Sequence, residues 1–529
     1  MRLRGVARVA LSLAAQQSLG RRGLASSLGS APAALKHKSL WRTLGYINGK
    51  FTAGHAASGS TFDVRNPATG ELLAQLPRMT ELDVAEASKA ANEAWAKWRK
   101  TTGKERSKIL QNMHGLMEQH RDDLALSLTL EAGKPLAEAK GEINYAMSFY
   151  ELYAEEAKRV SGQVLSPPVR GRRLVTLKQP VGPTVLLCPW NFPSAMITRK
   201  LGPALAAGCT AVIKPADMTP LSALALCAIA EEAGVPAGVV NCLTVAKEEV
   251  VAVGGALCRE PLLRKLSFTG STAVGKWLMR ESASTMKRLS LELGGNAPFI
   301  VFDDCDLEVA LSALINAKFR NAGQTCISSN RIFVQAGVYE AFAEALTTRV
   351  RAMRVGNGLG ADTTMGPLIN AAGLDKVKRH VEDCVAKGAV VRTGGQPNQE
   401  LNSRGGTFFN PTVLTEVTPD MLPFEEETFG PLAPLVRFES EQDVVRMAND
   451  TPFGLAGYAC TRDLARAWRV AEQLECGLVG INEGAISTAE APFGGMKESG
   501  IGREGGTWGI EEYLETKYVC FGGITEASS

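Results

Sequence analysis

The chain has 529 residues, of which 45% are apolar and 21% are charged, and its formal net charge is +3. A chain of this length is too long for one compact core, so we expect a globular protein of two or three domains. The small net charge argues against a nucleic-acid partner, and the eleven scattered cysteines, without a Cys-x-x-Cys pair, argue against a disulfide framework or a metal site.

The first forty residues are rich in arginine and lack acidic residues, since the first carboxylate is Asp63. The apolar run at residues 6–13 is interrupted by Arg8 and is too short to span a bilayer. This pattern predicts a mitochondrial transit peptide over residues 1–39 and a location in the mitochondrial matrix, with a disordered basic tail as the alternative. No later stretch predicts a transmembrane helix, so we expect no membrane insertion.

The segment up to residue 160 begins with strand-like runs and continues with helices. Residues 46–50 and 61–67 predict short strands that end at turn residues. Apolar residues at helical spacing then predict three helices, at residues 81–100, 104–130 and 138–160.

Residues 184–302 change to an alternation of short strands and helices. We predict strands at residues 184–188, 210–213, 239–243, 265–268, 287–291 and 299–302, and helices at 195–207, 221–233, 247–254 and 272–279. Repeated β-α units of this kind predict a doubly wound, Rossmann-type parallel sheet, which binds ligands at the carboxyl ends of its strands.

Three of these predicted strands end in residues suited to a dinucleotide. After the third of these strands, residues Thr269 to Gly275 begin a helix with small residues. A helix N-terminus of this kind either binds a phosphate or is only a good N-cap. Lys214 and Asp217 follow the second strand, and a cation and a carboxylate there are suited to ribose hydroxyls. The acidic residue disfavours a 2′-phosphate and so indicates NAD over NADP.

Cys326 and Glu292 are the candidate catalytic pair. Cys326 ends the stretch Phe-Arg-Asn-Ala-Gly-Gln-Thr-Cys, between a helix-like run (307–318) and a strand-like run (332–335). Glu292 is the one charged residue of Leu-Glu-Leu-Gly-Gly-Asn. A thiol and an isolated carboxylate suffice for covalent catalysis on a carbonyl, although a cysteine taken alone is more often an inert buried residue.

These two segments, Asn-Ala-Gly-Gln-Thr-Cys and Leu-Glu-Leu-Gly-Gly-Asn, closely resemble the signature segments of the aldehyde dehydrogenase superfamily, and the resemblance extends over roughly residues 40 to 525. It implies an α/β fold with a Rossmann-type NAD-binding domain at residues 40–160 and 182–302. An α/β catalytic domain at 303–500 would follow. A small β oligomerisation arm, from 161–181 and 501–529, would join subunits into a homo-oligomer, either a tetramer or a dimer.

The resemblance also implies the roles of individual residues. Cys326 would be the nucleophile, Glu292 the base that activates a hydrolytic water, and Asn191 an oxyanion donor together with the Cys326 N–H. The cofactor is implied to be NAD, bound by Trp190, Lys214, Pro215, Ala216, Asp217, Thr269, Gly270, Ser271, Gly275, Leu293, Glu427 and Phe429.

Arg199, Arg320 and Ser487 match the substrate-binding positions of the branch of this superfamily that oxidises succinate semialdehyde in mitochondria. Two guanidinium groups would form a clamp for a carboxylate. The resemblance therefore implies oxidation of succinate semialdehyde to succinate, a step of 4-aminobutyrate degradation. Many members of this branch carry a second cysteine two residues after the nucleophile, but this chain has Ser328 there, so we expect no disulfide switch within the loop.

Three alternatives remain open at this stage. The enzyme could act on another acidic or short-chain aldehyde with NAD or NADP. It could be a coenzyme A-dependent member of the superfamily, which Glu292 disfavours because it supplies a hydrolytic base. It could also be a structural protein that binds the cofactor without turnover, which the joint presence of Cys326, Glu292 and Asn191 disfavours.

Overall fold

The computed structural model describes residues 34–57 and 59–524, so most of the predicted transit segment lies outside the described residues. Its last residues are described and pack on the protein. Leu35 is buried, and the N–H groups of Lys36 and His37 donate to the Asp123 carboxylate at 3.0 and 2.8 Å. The folded part of the chain therefore includes residues that the prediction assigned to the transit segment.

The first part of the chain, up to residue 301, alternates strands and helices. Its strands are β1 (Gly45–Ile47), β2 (Lys50–Thr52), β3 (Thr61–Arg65), β4 (Leu72–Pro77), β5 (Val164–Leu165), β6 (Arg173–Pro180), β7 (Thr184–Leu187), β8 (Ala211–Lys214), β9 (Val240–Cys242), β10 (Lys265–Thr269), β11 (Arg288–Glu292) and β12 (Ala297–Val301). Its helices are α1 (Glu81–Trp98), α2 (Gly103–Gln119), α3 (Arg121–Ala132), α4 (Leu136–Glu156), α5 (Ala195–Ala207), α6 (Pro220–Glu232), α7 (Val250–Arg259) and α8 (Thr272–Ser282).

The second part of the chain, after residue 301, also contains both strands and helices. Its strands are β13 (Ser329–Gln335), β14 (Val390–Thr393), β15 (Thr412–Thr415), β16 (Leu432–Phe438), β17 (Phe453–Gly454), β18 (Ala456–Cys460), β19 (Leu478–Ile481), β20 (Met496–Lys497), β21 (Gly500–Ile501) and β22 (Leu514–Phe521). Its helices are α9 (Leu307–Phe319), α10 (Tyr339–Arg351), α11 (Ala371–Ala386), α12 (Gln399–Asn402), α13 (Leu422–Glu425), α14 (Glu441–Asn449), α15 (Leu464–Gln473) and α16 (Gly506–Glu511).

The first large sheet has the strand order β2-β1-β9-β8-β7-β10-β11-β21. Its five central strands, β9, β8, β7, β10 and β11, are parallel; β1 joins one side of them antiparallel and pairs with the edge strand β2, and β21 forms the antiparallel edge on the other side. The chain starts in the middle at β7, builds outward to β9, and then returns to add β10 on the other side of β7. The predicted doubly wound sheet is therefore confirmed, and its switch point, where such sheets bind ligands, lies between β7 and β10.

The second large sheet has the order β14-β15-β16-β13-β12-β18-β19 and is parallel except for β14. This corrects one prediction, because residues 299–302 were assigned to the first sheet, whereas β12 pairs with β13 and β18 in the second. The chain crosses between the sheets at residues 293–296 and not after residue 302. An apolar run that is buried on both faces predicts a parallel strand but carries no information about which sheet receives it.

Parts of the two segments predicted for the arm, 161–181 and 501–529, pair with each other, but the second segment begins in the first large sheet, where β21 pairs with β11, so only its part from β22 onward joins the arm sheet. Strand β22 runs antiparallel to β6 over eight residues, from Leu514 opposite Pro180 to Phe521 opposite Arg173, and β5 pairs with the other edge of β6. Apolar side chains on this three-stranded sheet remain exposed, among them Val164, Tyr518 and Phe521. Such a sheet has the open edges and apolar surface that a second chain can cover.

One predicted helix is in fact two. The run at residues 104–130 is interrupted at His120, where the backbone leaves helical geometry (φ −104°, ψ 13°) and α3 begins with Asp122 and Asp123 in its first turn. Acidic residues favour the start of a helix because of its dipole, so the new helix begins there. Within residues 34–57 and 59–524, none of the helices has both the length and the apolar character of a membrane span.

Candidate active site

A cavity of about 380 Å³ lies at the carboxyl ends of β7 and β10, between the two large sheets. Most of the residues that line it come from the ends of these strands, from the loop that ends at Cys326, and from the second sheet's side of the crevice. They are Pro189, Trp190, Asn191, Met196, Thr269, Gly270, Ser271, Leu293, Gly294, Gln324, Cys326, Ile369, Asn370, Ala372, Gly373, Lys376, Glu427, Thr428 and Phe429. The switch point of the first sheet thus faces the predicted nucleophile.

The loop before Cys326 turns sharply through three successive left-handed residues, Asn321 (φ 52°), Ala322 (φ 53°) and Gly323 (φ 74°). This conformation costs energy for residues with a Cβ, and it recurs where function demands an unusual backbone. Gly323 is required for a second reason, because a Cβ there would collide with the carbonyl oxygen of Gly430. The turn follows α9 directly and brings the Cys326 thiol to the cavity instead of the core.

Side-chain amides hold this loop against the end of β7. Asn321 Nδ2 donates to the Asn191 carbonyl oxygen at 3.0 Å, and Asn191 Nδ2 donates to the Gln324 carbonyl oxygen at 3.0 Å. Asn191 Nδ2 keeps a second hydrogen, and within the described residues no acceptor takes the N–H of Cys326. These two donors are positioned where an oxyanion formed on the thiol could accept them, and their role in catalysis stays a prediction.

Glu292 ends strand β11 and is only 2% exposed, yet neither of its carboxylate oxygens has a hydrogen-bond partner within the described residues. Burial, followed by the negative charge of Glu504, raises its pKa well above the ordinary value. Gly494 gives the carboxylate room, because a Cβ at that position would lie 2.9 Å from Glu292 Oε1. A buried carboxyl group without partners and with a raised pKa has the properties of a general base.

The Cys326 thiol is not activated by its surroundings alone. Burial raises its pKa to about 12, although the positive charges of Arg199 and Arg320 act in the opposite direction. The thiol therefore needs a base to take its proton, or a bound ligand that changes its surroundings, before it can act as a nucleophile at neutral pH.

Several buried polar atoms at this site have no hydrogen-bond partner among the residues that the structure describes. They are Asn191 Oδ1, both oxygens of Glu292, Thr269 Oγ1, Arg320 Nε and Thr325 Oγ1. Since buried polar groups in folded proteins are almost always hydrogen-bonded, such a group of exceptions indicates a place prepared for a ligand.

Arg199 lies on α5 with its guanidinium only 1% exposed, and a carboxylate that the sequence analysis missed holds it. Arg199 Nε donates to Glu504 Oε2 at 2.7 Å, and Lys200 Nζ pairs with Glu504 Oε1. The Arg199 guanidinium also lies 4.1 Å from the ring centroid of Phe493, and its Nη1 is 3.4 Å from the hydroxyl of Tyr145. Its charge lowers the pKa of the Cys326 thiol, so Arg199 does face the reacting group.

Arg320 approaches the same thiol from the nucleophile loop. Its guanidinium lies 5.4 Å from the ring centroid of Phe192, and its charge likewise lowers the pKa of Cys326. The third predicted substrate residue, Ser487, lies partly buried in the loop that follows β19, and its hydroxyl makes no hydrogen bond to either arginine. The charges of both arginines thus act on the Cys326 thiol, although neither side chain lines the cavity itself, and the substrate roles of Arg199, Arg320 and Ser487 stay predictions.

The residues predicted for the nicotinamide end of a dinucleotide surround the cavity. Trp190 and Phe429 meet edge to face, with ring centroids 5.4 Å apart. Glu427 Oε1 accepts the N–H of Gly295 at 3.1 Å, and burial raises the pKa of Glu427 to about 7. Thr269 Oγ1 is buried on the same wall and has no hydrogen-bond partner within residues 34–57 and 59–524.

The residues predicted for the phosphates form a helix start that is open to the cavity. Ser271 caps α8, with its hydroxyl accepting the N–H of Val274 at 3.4 Å. Gly275 allows this helix to pack on Leu293, because a Cβ there would collide with that side chain. The combination of a helix N-terminus, small residues and free polar atoms fits a dinucleotide.

Lys214, Pro215, Ala216 and Asp217 do not line this cavity. Lys214 ends β8, the strand beside β7, and the other three follow it, with Pro215 and Ala216 buried in the turn and the two charged residues partly exposed. Burial lowers the pKa of Lys214, while the charge of Asp217 opposes that effect, so the two side chains lie close to each other. This position, one strand away from the nicotinamide end, is where the far ribose of a dinucleotide would lie.

Two signals in the sequence could have found Glu504. Arg199 and Lys200 are consecutive cations inside a helix whose other residues are apolar or small, and buried cations need a carboxylate. The run Gly502-Arg503-Glu504-Gly505-Gly506 offers such a carboxylate within a glycine-rich loop. What the sequence did not reveal is that these residues, about 305 positions apart, meet.

Comparisons with known proteins agree with this geometry. The profile of the aldehyde dehydrogenase family matches residues 55–519. The chain is 53% identical to a glutarate-semialdehyde dehydrogenase of Pseudomonas aeruginosa, over 93% of this chain and 100% of the relative. It is 52% identical to a 3-sulfolactaldehyde dehydrogenase of Pseudomonas putida, over 93% and 99%.

Two further similarities concern relatives that act on succinate semialdehyde by name. The chain is 51% identical to a mitochondrial succinate-semialdehyde dehydrogenase of Oryza sativa, over 95% of this chain and 94% of the relative. The crystal structure of a succinate-semialdehyde dehydrogenase from Burkholderia pseudomallei superposes with a TM-score of 0.90 at 54% identity, covering 92% of this chain and 100% of that one.

Proposed function

The chain belongs to the aldehyde dehydrogenase family, and we propose that it catalyses the NAD-dependent oxidation of succinate semialdehyde to succinate. The observation that carries the proposal is the position of Cys326. Its thiol lies at a cavity suited to a dinucleotide and in the field of two guanidinium groups. The thiol accounts for chemistry on an aldehyde, and the guanidinium groups account for an aldehyde that carries a carboxylate.

In the proposed reaction, Cys326 loses its proton and its sulfur forms a bond to the aldehyde carbon. The resulting oxyanion accepts hydrogen bonds from Asn191 Nδ2 and from the N–H of Cys326. Bound NAD would supply the acceptor for the hydride that leaves this carbon, held by residues around Trp190, Ser271 and Glu427. The acyl group then remains on Cys326 as a thioester.

Glu292 completes the cycle as the base for hydrolysis. Its carboxylate takes a proton from water, the water oxygen bonds to the thioester carbon, and the carbon–sulfur bond breaks to release the carboxylate product and the thiolate. The raised pKa of Glu292 makes the carboxylate a stronger base than an ordinary one. Because water is the acyl acceptor in this reaction, coenzyme A is not needed. A structural protein without turnover would have no use for a buried carboxylate that lacks a hydrogen-bond partner within the described residues.

The two arginines support a substrate with an anionic end. In the group formed by Arg199, Lys200 and Glu504 two cations share one carboxylate, and Arg320 adds a third cation whose charge acts on the thiol. The substrates in the names of the relatives, glutarate semialdehyde, 3-sulfolactaldehyde and succinate semialdehyde, are all short aldehydes with an anionic group. Glutarate semialdehyde, longer by one methylene, is accordingly the second candidate.

The test compares succinate semialdehyde with butanal, which has the same number of carbon atoms but no carboxylate, by following NADH. Arg320→Ala should raise KM for succinate semialdehyde roughly 10- to 150-fold, the equivalent of a lost charge-assisted hydrogen bond of about 1.5–3 kcal/mol. It should change KM for butanal by less than about threefold. Arg199→Ala should behave in the same way.

The matched control is Arg349→Ala, because Arg349 lies on α10 and pairs with Glu308 at the surface. It should leave both aldehydes unaffected. An equal loss for succinate semialdehyde and butanal in the Arg320 variant would overturn the clamp, and a wild-type protein that prefers glutarate semialdehyde would favour the longer substrate.

We infer NAD over NADP from Asp217. Its carboxylate, beside Lys214 at the end of β8, would repel a 2′-phosphate and accept hydrogen bonds from free ribose hydroxyls. The ratio of kcat/KM for the two cofactors measures this preference.

We also infer a homo-oligomer and a mitochondrial matrix location. The exposed apolar side chains on the β5-β6-β22 sheet support the first inference, since a second copy of the chain would cover them. The arginine-rich, acid-free start of the chain supports the second inference.

A further inference from the structure

A buried ion pair lies directly behind the loop that carries Asn191. Lys134, in the connection between α3 and α4, is 2% exposed, and Glu142 on α4 is 3% exposed. Lys134 Nζ donates to Glu142 Oε2 at 2.6 Å and to the Asn191 carbonyl oxygen at 2.7 Å. The same ammonium group lies 4.0 Å from the ring centroid of Phe192. The pair therefore contacts two successive residues of the loop after β7.

The other oxygen of Glu142 fixes the next part of the same loop. Glu142 Oε1 accepts the N–H of Ser194 at 2.9 Å and that of Ala195 at 3.3 Å, at the start of α5. A carboxylate at this place is stabilised by the helix dipole and by N–H groups that have no partner inside the helix. Lys134 and Glu142 together thus hold the loop from Asn191 to Ala195 at both of its ends.

Such a pair contributes more to geometry than to stability. Two fully buried charges lose their hydration, and apolar residues of the same size often stabilise a fold as well or better. What the pair provides is a fixed position for the main chain of Asn191.

That position determines where the Asn191 side chain lies. The Asn191 carbonyl oxygen is held from one side by Lys134 and from the other by Asn321 Nδ2 of the nucleophile loop. The side-chain amide of the same residue then reaches the Gln324 carbonyl oxygen, next to Cys326. Main chain and side chain of Asn191 are therefore fixed relative to the thiol through one network.

We propose that Lys134 and Glu142 are positioning residues for the oxyanion hole, which hold Asn191 Nδ2 at the distance from Cys326 that the tetrahedral adduct requires. The proposal rests on the proposed function in one respect, namely that Asn191 stabilises the oxyanion. It extends that function to two residues that touch neither substrate nor cofactor.

The test is a double-mutant cycle on the rate of the first NADH turnover, which reports the steps up to the thioester. Asn191→Ala should lower this rate roughly 10²- to 10³-fold, as for other oxyanion donors. Lys134→Met, which keeps the length of the side chain, should lower it about 10- to 100-fold with little change in KM. The double variant should be no slower than Asn191→Ala alone by more than about threefold, because Lys134 acts through Asn191.

The chain offers a matched control in Glu131, a second buried glutamate of this helical layer. Glu131 accepts the N–H groups of Leu221 and Ser222 at the start of α6, both at 2.8 Å, so its hydrogen bonds hold α6 and not the Asn191 loop. Glu142→Gln should slow the first turnover, whereas Glu131→Gln should not do so at saturating NAD, even where both variants unfold at a lower temperature. This comparison remains decisive where Lys134→Met fails to fold.

Three results would overturn the proposal. They are losses that multiply in the double variant, an equal slowing by Glu131→Gln and Glu142→Gln, and a Lys134→Met protein with the parental rate. An unchanged first turnover in Asn191→Ala would instead remove the oxyanion role from the proposed function itself, so the two failures are distinguishable.

Discussion

Two buried glutamates in one crevice illustrate how surroundings assign opposite roles to the same side chain. Glu292 ends a strand of the first sheet, and Glu504 lies in the loop before α16. The negative charge of Glu504 raises the pKa of Glu292, while Lys200 and Arg199 lower the pKa of Glu504. Glu292 has no hydrogen-bond partner in the described part of the chain, and burial raises its pKa well above the ordinary value. Burial alone would also raise the pKa of Glu504, but the charges of Lys200 and Arg199 outweigh it and hold that pKa below the ordinary value.

This difference shows that the role of a buried carboxylate is indicated by its hydrogen-bond and ion-pair partners, and not by its burial alone. Glu504 is an anion bound to two cations, so its role is to hold Arg199 and Lys200 in place. Glu292 is free to gain and lose a proton, so its role is chemical. Exchanging either glutamate for glutamine separates these roles, because glutamine keeps the shape but cannot act as a base or an anion.

The largest effect is expected from Glu292→Gln. Removal of the base should leave the thioester on Cys326, so a rapid burst of NADH should precede a turnover that is slower roughly 10²- to 10⁴-fold. The thermal stability at neutral pH should not fall, because Glu292 makes no hydrogen bond within the described residues that the substitution breaks, and glutamine removes the cost of a buried charge. Rapid mixing and thermal denaturation measure both quantities. Parental turnover in this variant would contradict the assignment of the base.

Glu504→Gln should give the reverse pattern. It leaves two buried cations without their carboxylate, so the free energy of unfolding should fall by about 3–5 kcal/mol. Activity with succinate semialdehyde should fall more than activity with butanal, because Arg199 loses the partner that orients it. Denaturant unfolding measures the loss of stability, and the KM values of the two aldehydes measure the change in substrate preference. A variant as stable as the parent would show that the ion pair is not what holds this region.

The two glutamates change the stability of the folded protein in opposite directions as the pH rises. The contribution of Glu504 to stability is present above its ordinary pKa of 4.5 and is lost as the pH falls below that value, because its folded-state pKa is depressed. For Glu292 the folded-state pKa is raised, so ionisation of this group costs stability as the pH rises above 4.5.

The smallest effect is therefore a shift in the pH profile. The steady-state rate, where thioester hydrolysis limits it, should rise with pH along a limb above pH 4.5 that reports the ionisation of Glu292. Glu504→Gln should move this limb to lower pH, since it removes a negative charge that raises the pKa of Glu292. A limb that Glu504→Gln leaves in place would show that the two carboxylates do not interact.

The sequence by itself determined the local features of this protein. The order of strands and helices, the glycine-containing turn before Cys326, and the isolated carboxylate of Glu292 at a strand end could all be predicted, because each depends on neighbouring residues and on their spacing. The resemblance of two short segments to aldehyde dehydrogenases then identified the family, which the comparisons confirmed.

Only the tertiary structure decided which distant residues meet. It placed β12 in the second sheet, joined Glu504 to Arg199 and Lys200, and brought Lys134 behind Asn191. An apolar strand fits the middle of either sheet, and a buried cation requires a carboxylate without specifying which one. These pairings depend on the packing of whole layers, which local periodicity and composition do not contain.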